Sequence, residues 1–133
     1  MIMLTQLLKF GLVGLLATLV HALIALFLIQ FGLEPLLANP IAFLVAFQIS
    51  YLGHSRWSFG SKKSYRLMHM YRFFIVSILG ILCSQALLFG LLKLTRLTAA
   101  ISLLTALGIS AVCTFYLSRQ WAFRDFKTDM QIR

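Results

Sequence analysis

Several polar side chains fall within long apolar runs of this sequence, and four of them stand out as types that could do chemistry there. They are His21, Gln48, Ser84 and Gln85. A polar or ionisable group is costly to bury among apolar residues, so its presence in such a run indicates a functional site. Imidazole, amide and hydroxyl groups together can hydrogen-bond a polar ligand. Two of them also have a purely structural interpretation. His21 could be neutral and hydrogen-bond a neighbouring helix, which would hold the fold together, and Gln48 could serve only in packing between helices.

The carboxylates and the remaining histidines exclude several kinds of chemistry. Glu34, Asp125 and Asp129 are the only carboxylates, and none lies inside an apolar run. The paired acids of glycoside hydrolysis are therefore missing, as is the embedded acid of a drug/proton antiporter. His54 and His69 have no acidic residue or cysteine at metal-ligand spacing, and no phosphate-binding loop for ATP is present. We expect no enzymatic activity, no cofactor and no metal.

Basic residues adjoin the ends of the apolar runs. A group of guanidinium and ammonium cations can bind a phosphate, and the candidates are Lys9, Arg56, Arg72 and Arg119. Their other reading is ordinary anchoring of helix ends at the cytoplasmic membrane surface. Aromatic residues beside two of these ends are expected to lie at the membrane interface, namely Trp57, Phe59, Trp121 and Phe123.

The apolar runs themselves have the length of transmembrane helices. Of 133 residues, 61% are hydrophobic and only 11% are charged, against about 25% charged in a soluble domain. Four runs without Asp, Glu, Lys or Arg match the roughly 20 residues that cross a bilayer as a helix: 10–33, 35–55, 73–92 and 97–118. We predict an all-α membrane protein with four transmembrane helices in one domain, residues 1–133.

The lysines and arginines predict the orientation of these helices. Of the 12, only Lys93 and Arg96 fall on one side of the predicted membrane, so the other side, with both termini, should be cytoplasmic. The net charge of +9 is then a topology signal. Nucleic-acid binding is not expected, because no soluble module remains to provide it. Residues 60–71 should form a basic cytoplasmic loop whose aromatic and methionine residues suit contact with anionic lipid.

The chain repeats itself at an offset of 63 to 64 residues. Lys9-Phe10 opens the first run and Arg72-Phe73 opens the third, while a Trp-x-Phe signature follows both the second and the fourth. We predict two tandem copies of a two-helix hairpin in the same orientation, about residues 7–60 and 70–125.

Small residues recur at every fourth position in the second and fourth runs. The two stripes consist of Ala38, Ala42, Ala46 and Ser50, and of Ser102, Ala106, Ser110 and Thr114. Small residues at this spacing let helices approach closely in lipid, so the stripes are either the packing seam of the bundle or a dimer face. Asn39, beside Pro40, is expected to cap the start of the second helix.

Two motifs carry a family resemblance over about residues 7–126. The opening Phe10-Gly11-Leu12-Val13-Gly14 has the pattern Phe-x-x-Val-Gly. The ends of the second and fourth runs are similar to Asn-Phe-x-x-x-Arg-x-Trp-x-Phe, with Tyr51 in place of the first Phe in the second run. In these respects the chain resembles the GtrA-like family of small four-helix membrane proteins associated with bacterial surface-polysaccharide synthesis. It departs from the pattern at Ser50 and Thr114, where the family has Asn. Arg56 is one residue out of register, whereas Arg119 keeps it.

The resemblance implies work with polyprenyl-phosphate-linked sugars in the bacterial cytoplasmic (inner) membrane. The function it suggests is the flipping of an undecaprenyl-phosphate sugar between leaflets, with the cations holding the phosphate and the embedded polar residues passing the sugar. The alternative is a non-transporting subunit that anchors or assists a glycosyltransferase, using the basic loop. Because four helices are few to enclose a sugar, we also expect a homo-oligomer, a dimer or larger, among membrane lipids.

Overall fold

The chain forms four long helices, two of which end in a short π-helical turn. The computed structural model describes residues 2–58 and 63–122, and these contain no β-strand. The helices are α1 (Ile2–Gln30), α2 (Pro35–Gly53), α3 (Lys63–Leu94) and α4 (Ala99–Leu117). The π-helical turns His54–Ser58 and Ser118–Ala122 continue α2 and α4.

Each helix contains a segment long and apolar enough to cross a bilayer. The four segments are Leu8–Gln30, Pro35–Gly53, Tyr71–Leu94 and Ala99–Leu117. Only 22% to 28% of the residues in them are buried within the bundle, and large apolar side chains cover the outer surface. A soluble monomer does not expose so large an apolar surface. The predicted all-α fold with four membrane-spanning helices is confirmed, while the cytoplasmic location of both termini stays a prediction.

Short loops join α1 to α2 and α3 to α4 at one end of the bundle. Gly32 has a φ of +92°, a conformation that favours glycine. Pro35 begins α2, where its missing N–H group is not needed, and Thr98 caps α4 by accepting a hydrogen bond from the Ile101 amide at 3.4 Å. We call this the hairpin end. The opposite end, where α1 begins and α4 finishes, is the terminal end, which the charges predict to be cytoplasmic.

The four helices form a ring in chain order, since each packs against its neighbours in sequence and α4 returns to α1. Two glycines permit the closest approaches. A Cβ atom on Gly53 of α2 would lie 2.7 Å from Val13 Cγ1 of α1, and one on Gly80 of α3 would lie 2.6 Å from Thr114 Cγ2 of α4. Both distances are too short for a real contact, so the two hairpins depend on glycine for their packing.

The small-residue stripes lie inside this ring. Seven of their members are buried and Thr114 is half-buried; the buried ones are Ala38, Ala42, Ala46, Ser50, Ser102, Ala106 and Ser110. This burial fits the reading of the stripes as a packing seam and leaves them no surface for a dimer face. Near the hairpin end they join a compact apolar core that includes Ala25, Leu88, Leu103 and Leu107.

The structure corrects two predictions about local structure. Residues 60–71 are not a loop throughout, because α3 already begins at Lys63; residues 59–62 lie outside the described residues. Residues 63–71 contain neither glycine nor proline, which permits a helix. Asn39 is not the cap of α2, because the helix starts at Pro35 directly after Glu34. Asn39 therefore lies in the second turn, where it is fully buried.

The lengths of the elements agree with an internal repeat. Helices α2 and α4 have 19 residues each and begin 64 residues apart, and the π-helical turns that follow them are separated by the same interval. These features support the predicted tandem of two hairpins, about 7–60 and 70–125, which stays a prediction.

Candidate functional site

A cavity of about 370 Å³ occupies the half of the bundle near the terminal end. Residues from all four helices line it, from Phe10 and Phe73 at the terminal end to His21 and Ser84 deep in the bundle. Phe10 and His21 are eleven positions apart on α1, so the cavity extends for about 16 Å at a rise of about 1.5 Å per residue. Its volume lies within the range of about 300–1,000 Å³ typical of small-molecule sites.

The wall of the cavity is mainly apolar and uncharged, with hydroxyl groups at several positions. No Asp, Glu, Lys or Arg is found among the described residues that line it, but hydroxyl groups are frequent. Thr18 donates a hydrogen bond to the Gly14 carbonyl and Ser77 donates one to the Phe73 carbonyl, each at 2.9 Å. Each hydroxyl oxygen keeps lone pairs with which to accept a further bond. These hydroxyl groups can hydrogen-bond a neutral, hydroxyl-rich ligand, while the apolar surface around them packs against its less polar faces.

Four polar side chains close the cavity towards the hairpin end, and we call His21, Asn39, Ser84 and Gln85 the polar cluster. His21 Nε2 lies 2.9 Å from Asn39 Oδ1 and 3.1 Å from the Asn39 carbonyl oxygen. Both oxygens only accept, so Nε2 carries a proton and donates to them. Asn39 Nδ2 donates to Ser84 Oγ at 3.2 Å and to Gln85 Oε1 at 2.8 Å. The polar cluster thereby joins α1, α2 and α3.

Gln85 also supplies a hydrogen bond that α2 cannot make for itself. Pro40 lies inside α2 and has no N–H group to donate to the carbonyl of Leu36, four residues earlier. Gln85 Nε2 donates to this carbonyl oxygen instead, at 2.6 Å. A buried carbonyl without a donor costs about 1–3 kcal/mol. A side chain of α3 therefore stabilises the proline-containing turn of α2.

Aromatic rings form the terminal end of the cavity. The centroid of the His54 ring lies 4.5 Å from that of Phe10 and 4.6 Å from that of Phe73, and all three residues are buried. His54 follows the membrane-spanning segment that ends at Gly53. Its burial lowers the pKa of the imidazole to about 4, so His54 is neutral near pH 7.

Two cations flank this aromatic end in equivalent positions. Lys9 Nζ lies 5.7 Å from the centroid of the Trp57 ring, and Arg72 Cζ lies 5.8 Å from that of the Trp121 ring. Arg72 Nη1 also donates to the Trp121 carbonyl at 3.2 Å. The two pairs correspond to each other under the predicted repeat. Cation–π attraction holds both cations at the edge of the bundle, where each could contact a phosphate.

The embedded polar residues predicted to form a path do not all lie together. His21 and Ser84 line the cavity, and Gln85 bonds to them through Asn39 without lining it. Gln48 is exposed on the outer surface of α2 and is not among the lining residues. The structure thus separates Gln48 from the other three.

The predicted phosphate ligands and interface anchors lie near the terminal end as far as they are described. Arg56 is exposed, and Trp57 and Trp121 are 50% and 41% exposed, as expected of side chains at a membrane interface. The other predicted positions lie outside the described residues: the side chain of Arg119, and all of Phe59 and Phe123. Their roles stay predictions.

Asn39 is the site residue that sequence reasoning misplaced. The sequence did contain a signal for its position. Proline favours the first position of a helix, and Pro35 precedes Pro40 and closely follows Gly32 of the loop. The helix could therefore be expected to start at Pro35, which places Asn39 inside it. The aromatic end formed by Phe10, His54 and Phe73 had no such signal, since it depends on how helices from both halves of the chain pack.

Comparison with known families gives a match over nearly the whole chain. Residues 9–130 match the family GtrA/DPMS, transmembrane domain, and this range contains every residue that lines the cavity. The comparison with curated proteins gave no match, and neither did the comparison with solved structures.

Proposed function

Because the chain belongs to the GtrA/DPMS transmembrane-domain family, we propose that it flips a polyprenyl-phosphate-linked sugar from the cytoplasmic to the outer leaflet. The family indicates a membrane protein of glycosylation or polysaccharide synthesis, which makes a lipid-linked sugar the expected cargo. The proposed membrane is the bacterial cytoplasmic membrane and the proposed carrier is undecaprenyl phosphate, for use in cell-surface polysaccharide.

The cavity is the observation that carries this proposal. It begins at the terminal end and reaches the polar cluster inside the membrane-spanning part of the bundle. A sugar that leaves water loses hydrogen bonds, and each polar group left unsatisfied costs about 1–3 kcal/mol. The hydroxyl and imidazole groups of the wall would replace part of those bonds. A volume of about 370 Å³ suits a small head group and not a long oligosaccharide.

The phosphate of the cargo would meet cations before it enters. Lys9 and Arg72 flank the terminal end on two sides, and the predicted ligands Arg56 and Arg119 adjoin the same end in sequence. An inside-negative potential favours outward movement of one negative charge by about 2.3 kcal/mol per 100 mV. The protein would therefore need only to lower the barrier to moving the head group across the bilayer, and ATP would not be required.

Transport also requires the hairpin half of the bundle to open. The polar cluster and the apolar core around Ala42 and Leu103 separate the cavity from the hairpin end. We propose that the hydroxyl groups of the sugar replace the hydrogen bonds between members of the polar cluster. The cluster can then separate while its amide and imidazole groups stay hydrogen-bonded, now to the sugar.

The predicted homo-oligomer, a dimer or larger, is not needed to enclose the head group, because the cavity lies within one chain. A second copy would require a surface other than the buried small-residue stripes. The alternative function, a non-transporting subunit that anchors or assists a glycosyltransferase, applies if the chain alone moves no lipid.

Transbilayer movement of a short-chain, labelled polyprenyl-phosphate hexose in proteoliposomes tests the proposal. Wild-type protein should accelerate flipping over protein-free liposomes. Lys9→Gln and Arg72→Gln should each slow it by about tenfold or more, because a charge-assisted hydrogen bond contributes about 1.5–3 kcal/mol. Lys93→Gln is the matched control, since Lys93 contacts the Phe89 ring near the hairpin end. Equal rates with and without protein, across several sugars, would contradict transport by this chain alone.

A further inference from the structure

The four helices do not enclose the cavity evenly. Only three of its lining residues are also exposed on the outer surface, namely Leu15 at 57%, Val112 at 66% and Phe115 at 41%. Leu15 belongs to α1 and the other two belong to α4, whereas the lining residues of α2 and α3 are buried or half-buried. These exposed lining residues all lie on the side of the cavity between α1 and α4, and we call this side the α1–α4 groove.

Small residues keep the α1–α4 groove open. Gly11 and Gly14 of α1 and Ala111 of α4 line the cavity beside it. A Cβ atom on Gly14 would meet no heavy atom within 4 Å, and one on Gly11 would meet only Phe115, at 3.8 Å. Where α3 and α4 pack tightly, a Cβ on Gly80 would instead come within 2.6 Å of a neighbour.

The opposite side of the bundle, between α2 and α3, is filled by aromatic rings. Phe47 of α2 stacks on Phe73 of α3 with ring centroids 6.1 Å apart, and it meets Phe74 edge-on at 5.7 Å. At the repeat interval of 64 residues, Phe47 corresponds to Ala111. The equivalent position therefore carries a phenylalanine ring on the α2–α3 side and only a methyl group on the α1–α4 side.

We propose that the α1–α4 groove is the lateral opening through which the isoprenoid chain of the lipid-linked sugar passes from the cavity into the bilayer. This inference rests on the proposed function, which supplies the lipid. An undecaprenyl chain is far too large for a cavity of about 370 Å³, so it must stay in the hydrocarbon while the sugar occupies the cavity. The exposed residues of the groove, Leu15, Val112 and Phe115, are all apolar, which suits contact with the isoprenoid chain.

A cation lies at the terminal end of the helix that forms one side of the groove. Lys9 of α1 is half-buried beside Trp57, which follows α2. Its side chain does not share the face of Gly11, which lies against Phe115 of α4, because residues two apart on a helix do not face the same way. The phosphate of the lipid would therefore meet Lys9 at the terminal end, beside the groove and not within it.

Photocross-linking in proteoliposomes tests the occupant of the groove. Benzophenone side chains are placed at Leu15 and Val112, and for comparison at Leu16 and Cys113, which are exposed neighbours that do not line the cavity. With a radiolabelled polyprenyl-phosphate hexose, positions 15 and 112 should be labelled several-fold more than 16 and 113. Unlabelled polyprenyl-phosphate hexose should abolish the excess, whereas added bilayer phospholipid should not.

A second variant tests whether the opening is needed. Ala111→Phe should fill the α1–α4 groove as Phe47 fills the other side, and it should lose most of the flipping activity while Cys113→Phe keeps it. Equal labelling at all four positions, cross-links between two copies of the chain, or full activity of folded Ala111→Phe would each overturn the groove while wild-type flipping still upheld the proposed function. Absence of wild-type flipping would overturn both.

Discussion

Pro40 is the residue that explains why the polar cluster has its present form. A proline inside α2 leaves the Leu36 carbonyl without its usual donor, and the Gln85 side chain fills the gap from α3. With its Nε2 fixed there, the Gln85 Oε1 faces Asn39 Nδ2, and Asn39 Oδ1 in turn accepts from His21. One backbone irregularity therefore orients the amides that bond to His21.

A double-mutant cycle measures this coupling. Gln85→Ala should lower the free energy of unfolding by about 1–3 kcal/mol, because it leaves the Leu36 carbonyl and one N–H of the Asn39 amide unsatisfied. In a Pro40→Ala background the loss should be smaller by about 1 kcal/mol, since residue 40 then donates to Leu36. Reversible unfolding in mixed micelles provides the free energies. Gln48→Ala, an exposed amide in α2, should change little, and an equal cost of Gln85→Ala in both backgrounds would refute the pairing.

His54 should make stability depend on pH. Its pKa falls from 6.5 to about 4 on folding. Between these two pH values the imidazole is therefore protonated in the unfolded state and neutral in the folded state. Stability should be constant above about pH 6.5 and decline as the pH falls to about 4, by up to about 3 kcal/mol.

Thermal unfolding in detergent at pH 7.5, 6.0 and 4.5 checks this prediction. His54→Phe, which keeps an aromatic ring between Phe10 and Phe73, should flatten the profile over the same interval. Parallel losses in the wild type and the variant would mean that other groups cause the pH dependence.

At the scale of helices, the two hairpins depend on single glycines where they approach most closely. Gly80→Ala places a Cβ atom 2.6 Å from Thr114 Cγ2, so the change should destabilise the α3–α4 pair by about 1–3 kcal/mol. Adding Thr114→Ser should restore most of the loss, because serine lacks that methyl group and keeps the hydroxyl that donates to the Ala111 carbonyl.

The matched control is Gly90→Ala, where a Cβ atom meets nothing within 4 Å and alanine should favour the helix by up to about 1 kcal/mol. Melting temperatures of the three variants in one detergent give the comparison. A Gly80→Ala protein as stable as the wild type would show that α3 and α4 can separate without cost.

The sequence predicts these helices well because lipid leaves the backbone few choices. Charge-free runs must be helical in a bilayer, and the second run starts at Pro35 both in the sequence and in the structure. The sequence is a much poorer guide to which face of each helix points into the bundle. Both faces are apolar in a membrane, so the periodicity that separates core from surface in soluble helices is weak. This is why Gln48 was expected beside the other embedded polar residues and instead lies on the outer surface.

At the scale of the whole molecule, the bundle is packed in one half and hollow in the other. The apolar core lies towards the hairpin end, and the cavity lies towards the terminal end. Such an asymmetry is what one side of an alternating carrier would present, with the polar cluster at the boundary between the halves.

The predicted orientation is central to that reading. If both termini are cytoplasmic, reporters fused at either terminus should be active only as cytoplasmic reporters, and a single cysteine introduced in the loop at 31–34 should react with an impermeant thiol reagent added from outside intact cells. The control is the same reagent on the parent chain, whose cysteines lie in α3 and α4. Labelling of that loop only after membrane permeabilisation would reverse the orientation.

Filling the cavity tests the central claim most directly. Gly14 lines the cavity with free space around it, and Gly108 is an exposed glycine of α4 with equally free space outside the cavity. Leucine at either position should leave the protein folded and favour its helix slightly. The measurement is the rate at which a labelled polyprenyl-phosphate hexose flips in proteoliposomes. We predict that Gly14→Leu slows flipping by about tenfold or more, equivalent to about 1.4 kcal/mol in the barrier. Gly108→Leu should flip the lipid at the wild-type rate. Equal rates for Gly14→Leu and the wild type would contradict passage of the sugar through this cavity.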